Sequence, residues 1–339
     1  MQIRKLSIKN FKSIKEVNVE CRKINLFIGQ PNSGKSNLLE AIGLASFMGH
    51  GNRNNLADFV RFENMRDLFY DHSLDQPITV DFDFGNLKVE FRNGMFIGTY
   101  FQANPASASR TQVFATDYTQ VTSFYEENRL KDLKFYRFQH LKQFASQQSE
   151  FLQPPCGDNL LSIILTNKHS RQIVKDIFEK FGYRLNLRPE EGKIDVVKEF
   201  EEVLVSFPYS ISSETLQRLV FYITAIQSNR NSIITFEEPE AHAFPYYTKY
   251  LAERIALSEQ NNQYFIATHN PYLLTSILEK APKDEIAIFI TKLEDYQTKV
   301  VRLSDEKKKE ILEMGSDMFL NLEKLTDQNE DLPEAVQRD

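Results

Sequence analysis

Residues 27–42 read FIGQPNSGKSNLLEAI. Gly29-Gln-Pro-Asn-Ser-Gly34-Lys35-Ser36 fits the pattern G-x-x-x-x-G-K-S, with an apolar strand before it and an amphipathic helix after it. The two glycines let backbone N–H groups turn inward around an anion at the start of a helix. Such a strand–loop–helix unit commits the chain to an α/β architecture. Lys35 would reach the β- and γ-phosphates of a nucleotide, and the Ser36 hydroxyl would ligate Mg²⁺. Asn32, Ser33 and Asn37 belong to the same cradle. The competing reading is a glycine turn that merely caps a helix. Glycine is scarce, 12 in 339 residues, which makes a chance match to the full pattern uncommon.

The length suits one large α/β domain or two modest ones. Net charge is −6, with 41 basic and 47 acidic residues, so bulk charge argues against a dedicated nucleic-acid binder. Cys21 and Cys156 lie far apart and form no metal spacing, which suits a reduced, cytoplasmic protein. The charged, alternating start MQIRKLSIKNFKSI is not expected to be a signal peptide, and no apolar run is long enough to span a bilayer.

IRKLSIKNF and EVNVECRKINLFIG read as strands, and 37–48 as a helix. PITVDFDFGNLKVEFRNGMFIGTYF alternates with period two and breaks at Gly85-Asn86 and Asn93-Gly94, the pattern of an antiparallel meander. Residues 102–120 lack periodicity and are expected to form a loop or weak helix. LKFYRF (133–138) reads as a strand, 139–151 as a helix ending at Pro154-Pro155. More helix follows, then paired strands in LNLRPEEGKIDVV and EEVLVSF. A helix is expected over 212–228 with Ser212 or Ser213 as its N-cap. Strands SIITFEE, QYFIATH and EIAIFIT alternate with helices over 246–258 and after Pro271, which predicts a largely parallel sheet. The charged tail from Ser304 is expected to be helical first and frayed from about 327.

Three further motifs bear on chemistry. SIITFEEPE ends an apolar strand in adjacent carboxylates, Glu237 and Glu238. Neighbours on a strand point to opposite sides, so one can serve a Mg²⁺ shell while the other orients or deprotonates water. The alternative is a solvated acidic strand end before Pro239. YFIATHNP places His269 at the C-terminal end of a buried strand, where a γ-phosphate could be sensed. A lone histidine in such a place can equally be structural. YSISSETLQRL offers serines at a helix start, either an anion site or an ordinary cap.

Together these segments resemble ABC-class ATPase heads of the RecF and SMC type, most closely stand-alone, OLD-like AAA-type ATPases. IRKLSIKNFKSIKEVNV with INLFIG and GKSNLLEAI resembles their N-terminal signature, SIITFEEPEAHAFP their Walker B strand, and FIATHNPYLL their switch-histidine segment. FLQPPCGDNLLSII is similar to the proline-rich turn and helix before their signature region. The resemblance implies that Gly29, Asn32, Ser33, Gly34, Lys35, Ser36 and Asn37 bind ATP, and that Ser36 and Glu237 hold Mg²⁺. Glu238 would be the catalytic glutamate and His269 the switch histidine. Ser212 would touch the γ-phosphate of a second copy, Lys12 and Ser13 would contact nucleotide, and Gln139 would be the Mg²⁺-linked glutamine at the lobe junction. The chain departs from the family in placing Glu214 where a glycine usually follows the signature serines.

The implied fold is a P-loop NTPase head with a mostly parallel core sheet, an antiparallel β-subdomain and a helical lobe. The core lobe would take 1–138 and 231–304, the helical, signature-bearing lobe about 139–230, and a charged tail 305–339. The implied function is a Mg²⁺-dependent ATPase switch that forms an ATP-sandwich homodimer. It would work through a separately encoded effector or DNA, in repair or anti-phage (antiviral) defence. DNA contact is expected to be weak and salt-sensitive, and no membrane is expected. No long heptad insertion follows the glycine loop, as an SMC arm would need, and no room is expected for the nuclease domain that OLD proteins append. Alternatives are a slowly or non-hydrolysing ATP sensor that restrains a toxin or nuclease, a transporter's ATP-binding subunit, and a small-molecule kinase.

Overall fold

A computed structural model describes residues 1–103, 110–118, 121–322 and 325. The chain opens with strands β1 (Lys5–Phe11), β2 (Ile14–Glu20) and β3 (Ile24–Gly29), then helices α1 (Lys35–His50) and α2 (Leu56–Phe59). Strands β4 (Ile78–Phe82), β5 (Gly85–Arg92), β6 (Met95–Gln102), β7 (Arg110–Thr116), β8 (Val121–Phe124) and β9 (Leu133–Tyr136) follow. Then come α3 (Leu160–Thr166), α4 (Lys168–Glu179), β10 (Arg184–Arg188), β11 (Lys193–Phe200), β12 (Val203–Pro208) and α5 (Glu214–Ser228). The last part runs β13 (Ile233–Glu237), α6 (Pro245–Ala256), β14 (Gln263–Ala267), α7 (Pro271–Lys280), β15 (Ile286–Glu294), β16 (Gln297–Arg302) and α8 (Asp305–Met314).

The strands form three sheets. The central one has order β16-β15-β3-β14-β13-β9, parallel throughout except for the β15–β16 hairpin. A seven-stranded sheet, β2-β1-β4-β5-β6-β7-β8, is antiparallel throughout, and β10-β11-β12 form a smaller antiparallel sheet. The central strands are buried on both faces. Leu26, Phe236, Ile266 and Ile288 pack into the core shared with α3 to α7. Phe27, Phe265 and Phe289 point the other way, stack on one another, and join the core shared with α1 and the antiparallel sheet. Helix α1 lies in that second core and is buried around nearly its whole circumference, because the antiparallel sheet covers the face that an amphipathic helix would leave wet.

Three expectations are corrected here. Residues 110–116, expected as loop or weak helix, form strand β7, because pairing with β6 outweighs weak local preference. Residues 104–109 and 119–120 of that stretch lie outside the described residues, as does the fraying expected from 327. Residues 139–151, expected as helix, have no regular structure: Asn159, fully buried, takes the carbonyls of Gln148 and Phe151, and Phe144 N–H donates to Gly192. Their backbone groups thus find partners outside any helix. The first hairpin turn falls at residues 83–84, and Gly85 begins β5, where a Cβ would lie 2.3 Å from the Tyr100 hydroxyl. Beyond the expected elements, β16 adds an antiparallel edge strand to the central sheet.

One buried side chain joins the chain start to the central sheet. Gln263, on β14, accepts from Ile3 N–H at 2.7 Å and donates to the carbonyls of Ile3 and Arg22 at 2.7 and 2.8 Å. Gln263→Leu leaves these backbone groups without that partner in a dry place. We expect a loss of about 1–3 kcal/mol in urea unfolding at unchanged m-value, with nucleotide binding retained. Wild-type stability in the variant would contradict this role.

Candidate functional site

The loop from Gly29 to Ser36 runs from the C-terminal end of β3 into α1. Gly34 is the N-cap of α1 at φ 92°, a left-handed conformation, and a Cβ there would lie 1.9 Å from the Thr298 hydroxyl. A Cβ on Gly29 would lie 2.4 Å from the Thr291 carbonyl. The β15–β16 hairpin therefore presses directly on the loop. Ser33 Oγ pairs with Thr291 Oγ1 at 2.6 Å, and Ser13 Oγ with Thr298 Oγ1 at 2.7 Å. Asn37 donates to Ser13 Oγ at 2.7 Å, which joins the β1–β2 turn to the first turn of α1.

Helix α1 has no side-chain cap and no acidic residue in its first turn. Its leading N–H groups and its dipole make this end a site for an anion. Lys35 is buried, and its ammonium donates to the carbonyls of Gly29 and Gln30 at 2.9 and 2.8 Å. Burial pulls its pKa down to about 8, opposed by the negative charge of Glu238.

Behind the loop lies an ionic cluster that sequence reading did not assemble. Glu40, on α1, has no solvent exposure. Its carboxylate accepts from Lys12 Nζ, from Arg61 Nε at 2.7 Å and from Arg137 Nη2 at 2.9 Å. The two arginines continue to Glu237 at the end of β13, Arg61 at 2.8 Å and Arg137 at 3.2 Å. Glu40 was visible in the sequence as a lone carboxylate inside the apolar run NLLEAI. Arg61 and Arg137 carried no signal.

Glu238 follows on the other side of the strand end, at φ 43°, a conformation costly for a residue with a side chain. His269 Nε2 lies 3.1 Å from Glu238 Oε1, and this hydrogen bond holds the carboxyl below its ordinary pKa. Glu240, nearly fully buried, takes a hydrogen bond from the Thr268 hydroxyl, and burial pushes its pKa up to about 7. These contacts bring Glu237, Glu238 and His269 together beside Lys35, at the carboxyl ends of β13 and β14.

Gln139 and Ser212 do not join this group; the role expected of Ser212 is on a second copy. Gln139 is exposed in the irregular segment after β9, and the side chain from this junction that reaches Glu237 is Arg137. Ser212 caps its own turn: its hydroxyl donates to the Tyr209 carbonyl at 2.7 Å, and its carbonyl accepts from Gln217. Ser213, not Ser212, is the N-cap of α5. Glu214 pairs with Arg218 Nε at 2.7 Å, which neutralises the carboxylate that stands in place of the family's glycine.

A divalent cation can be tested against these donors. Ser36 Oγ and the Glu237 carboxylate are hard oxygen ligands suited to Mg²⁺, which uses one or two protein ligands beside phosphate oxygens and water. Among the described residues there is no cluster of three or more His, Cys, Asp or Glu that could hold a metal unaided. The donor set fits a cation carried in with a nucleotide, provided that Glu237 exchanges its arginine partners for the metal.

The cluster gives a stability prediction. Glu40→Gln removes the one fully buried carboxylate that three cations share. We expect a loss of about 3–5 kcal/mol in chemical unfolding, the scale for uncovering buried charge. A loss under about 1 kcal/mol would show that the cations find other partners.

Comparison with known proteins agrees with this geometry. A family described as "AAA ATPase domain" matches residues 1–215, which span the glycine loop and Ser212. No curated protein sequence matches the chain. Among solved structures, an SMC head bound to the C-winged helix domain of ScpA is 18% identical with a TM-score of 0.52, covering 91% of this chain and 99% of that one. An Smc head domain with an extended coiled coil, bound to the C-terminal domain of ScpA derived from Pyrococcus furiosus, is 17% identical with a TM-score of 0.51, covering 92% and 98%. At such identity the likeness concerns the fold. Among the described residues no helix is long and apolar enough to cross a membrane. With more than half its length matched, the chain belongs to the AAA ATPase domain family, a nucleotide-binding family, and it has the fold of an ABC-class ATPase head.

Proposed function

We propose that the protein is a Mg²⁺-dependent ATPase switch whose two heads close on two ATP molecules. The observation that carries the reading is the juxtaposition of an uncapped α1 N-terminus, buried Lys35 and the Glu238–His269 pair. The loop N–H groups and Lys35 bind the phosphates. Ser36 and Glu237 would hold magnesium, which when bound neutralises phosphate charge. Glu238, kept ionised by its hydrogen bond with His269, accepts a proton from the attacking water. Ser212 completes the site of the second copy.

Exposed apolar side chains support a second copy on this face. Ile211 precedes Ser212, Phe244 follows the Glu238 turn, and Tyr272 follows His269; they are 70%, 68% and 51% exposed. Thr215 at the start of α5 donates to the His242 carbonyl at 2.8 Å, so the signature segment and the turn after Glu238 abut. The output passes to a separately encoded effector or to DNA, in repair or antiviral defence; the family resemblance supports this part. A second reading, a slowly or non-hydrolysing ATP sensor, is favoured by the grip of Arg61 and Arg137 on Glu237, which delays metal loading.

The test is Glu238→Gln. Turnover is expected to fall by about 10²-fold or more, the scale for losing a general base, while ATP affinity persists. Light scattering with ATP and Mg²⁺ should then show a dimer, and a further Ser212→Arg change should abolish it. A monomer with ATP fully bound, or normal hydrolysis in Glu238→Gln, would refute the sandwich. Negligible turnover in the wild type together with ATP-dependent dimerisation would select the sensor.

A further inference from the structure

A cleft of about 420 Å³ opens beside the ionic cluster, between the β1–β2 turn, the segment around residues 61–72 and the tip of the β15–β16 hairpin. Lys12, Arg61, Tyr70, Asp71 and Tyr296 are among the side chains that line it. Its volume lies within the range of small-ligand sites.

Tyr296 is the unusual member. It forms the two-residue hairpin turn with Asp295, both at positive φ, 48° and 59°. Such turns favour asparagine and glycine, and a large aromatic residue there costs conformational energy. The ring returns nothing to the core, since the residue is 90% exposed. The hairpin that carries it cannot drift from the glycine loop. Thr298, two residues on, touches the Gly34 backbone, pairs with Ser13 Oγ and donates its N–H to the Ser13 carbonyl at 2.8 Å. From the N-terminus of α1 the path to the cleft is short: Asn37 bonds Ser13, and Ser13 adjoins Lys12.

We infer that this cleft receives the nucleoside half of the bound nucleotide, with a purine ring stacked on Tyr296; this rests on the nucleotide-binding reading above. Lys12 and Arg61 both bond Glu40 on α1, the helix whose N-terminus faces the phosphates. The same cleft offers the Tyr296 ring and the Asp71 carboxylate, an acceptor for a ribose hydroxyl or exocyclic amine. Tyr296 thus sets the preference for purine nucleotides over bare polyphosphate, independently of the phosphate cradle.

The experiment compares ATP with inorganic triphosphate, each with Mg²⁺, by calorimetry on the full chain. Tyr296→Ala should weaken ATP binding roughly tenfold, the scale of one base–aromatic stack, and leave triphosphate binding unchanged. Tyr296→Phe should retain ATP affinity. Tyr296→Asn, which suits the turn, should weaken ATP binding without lowering the melting temperature. Lys35→Ala should lose both ligands. Unchanged ATP affinity in Tyr296→Ala overturns the inference. So does an equal loss of ATP and triphosphate, which would mean that the hairpin only braces the loop. A wild-type protein that binds neither ligand overturns the nucleotide reading itself.

Discussion

A carboxylate with no solvent exposure is tolerable only if its charge is matched, and Glu40 is matched three times over. Its partners come from three places far apart in sequence: Lys12 from the β1–β2 turn, Arg61 from the segment after α2, and Arg137 from the end of β9. Helix α1 is thereby pinned to the antiparallel sheet on one side and to the edge of the central sheet on the other. The same arginines reach Glu237, so the ion that would receive a metal is held by the network that positions the glycine-loop helix. The structural and chemical roles of this region share one set of charges.

The second constraint is steric. The glycine loop is closed on one side by the β15–β16 hairpin, whose threonines approach Gly29 and Gly34 more closely than any side chain would permit. With the hairpin in place, the uncapped N–H groups of α1 face inward and Lys35 lies across the loop carbonyls. Burial and positive φ then concentrate at the strand ends: Lys35 has a lowered pKa, Glu240 a raised one, and Glu238 sits in a left-handed conformation. Perturbed ionisation and backbone strain in one place are the marks of a reactive site. The hydrogen bond of Glu238 with His269 keeps that carboxylate ionised in the same surroundings.

Sequence legibility varied with the range of the interaction that decided each element. The glycine loop was readable because its signal is local: two glycines at fixed spacing, an apolar strand before and a helix after. Strands β13 and β14 were readable for the same reason, as apolar runs ending in Glu237 and in the threonine before His269. Residues 139–151 misled because a composition compatible with helix gave way to hydrogen bonds outside it: Asn159, just past the segment, donates to its carbonyls, and the Gly192 carbonyl, far along the chain, accepts from Phe144 N–H. Arg137 reaches Glu237 on a strand a hundred residues later, a contact that no local pattern encodes.

By itself the sequence determined the α/β class, the order of the phosphate loop, the paired glutamates and the histidine, and the strand and helix alternation that makes the central sheet parallel. Each of these rests on backbone preference or side-chain period within a few residues. Only the tertiary structure decided that α1 is enclosed on all sides, that Glu40 gathers three cations, that Glu237 is gripped by arginines while Glu238 pairs with His269, and that Tyr296 overlooks a cleft beside the loop. The physical reason is the same in each case. Charge pairing, close approach to glycine and the burial of a helix face depend on which distant segments meet, and that is settled when the sheets pack.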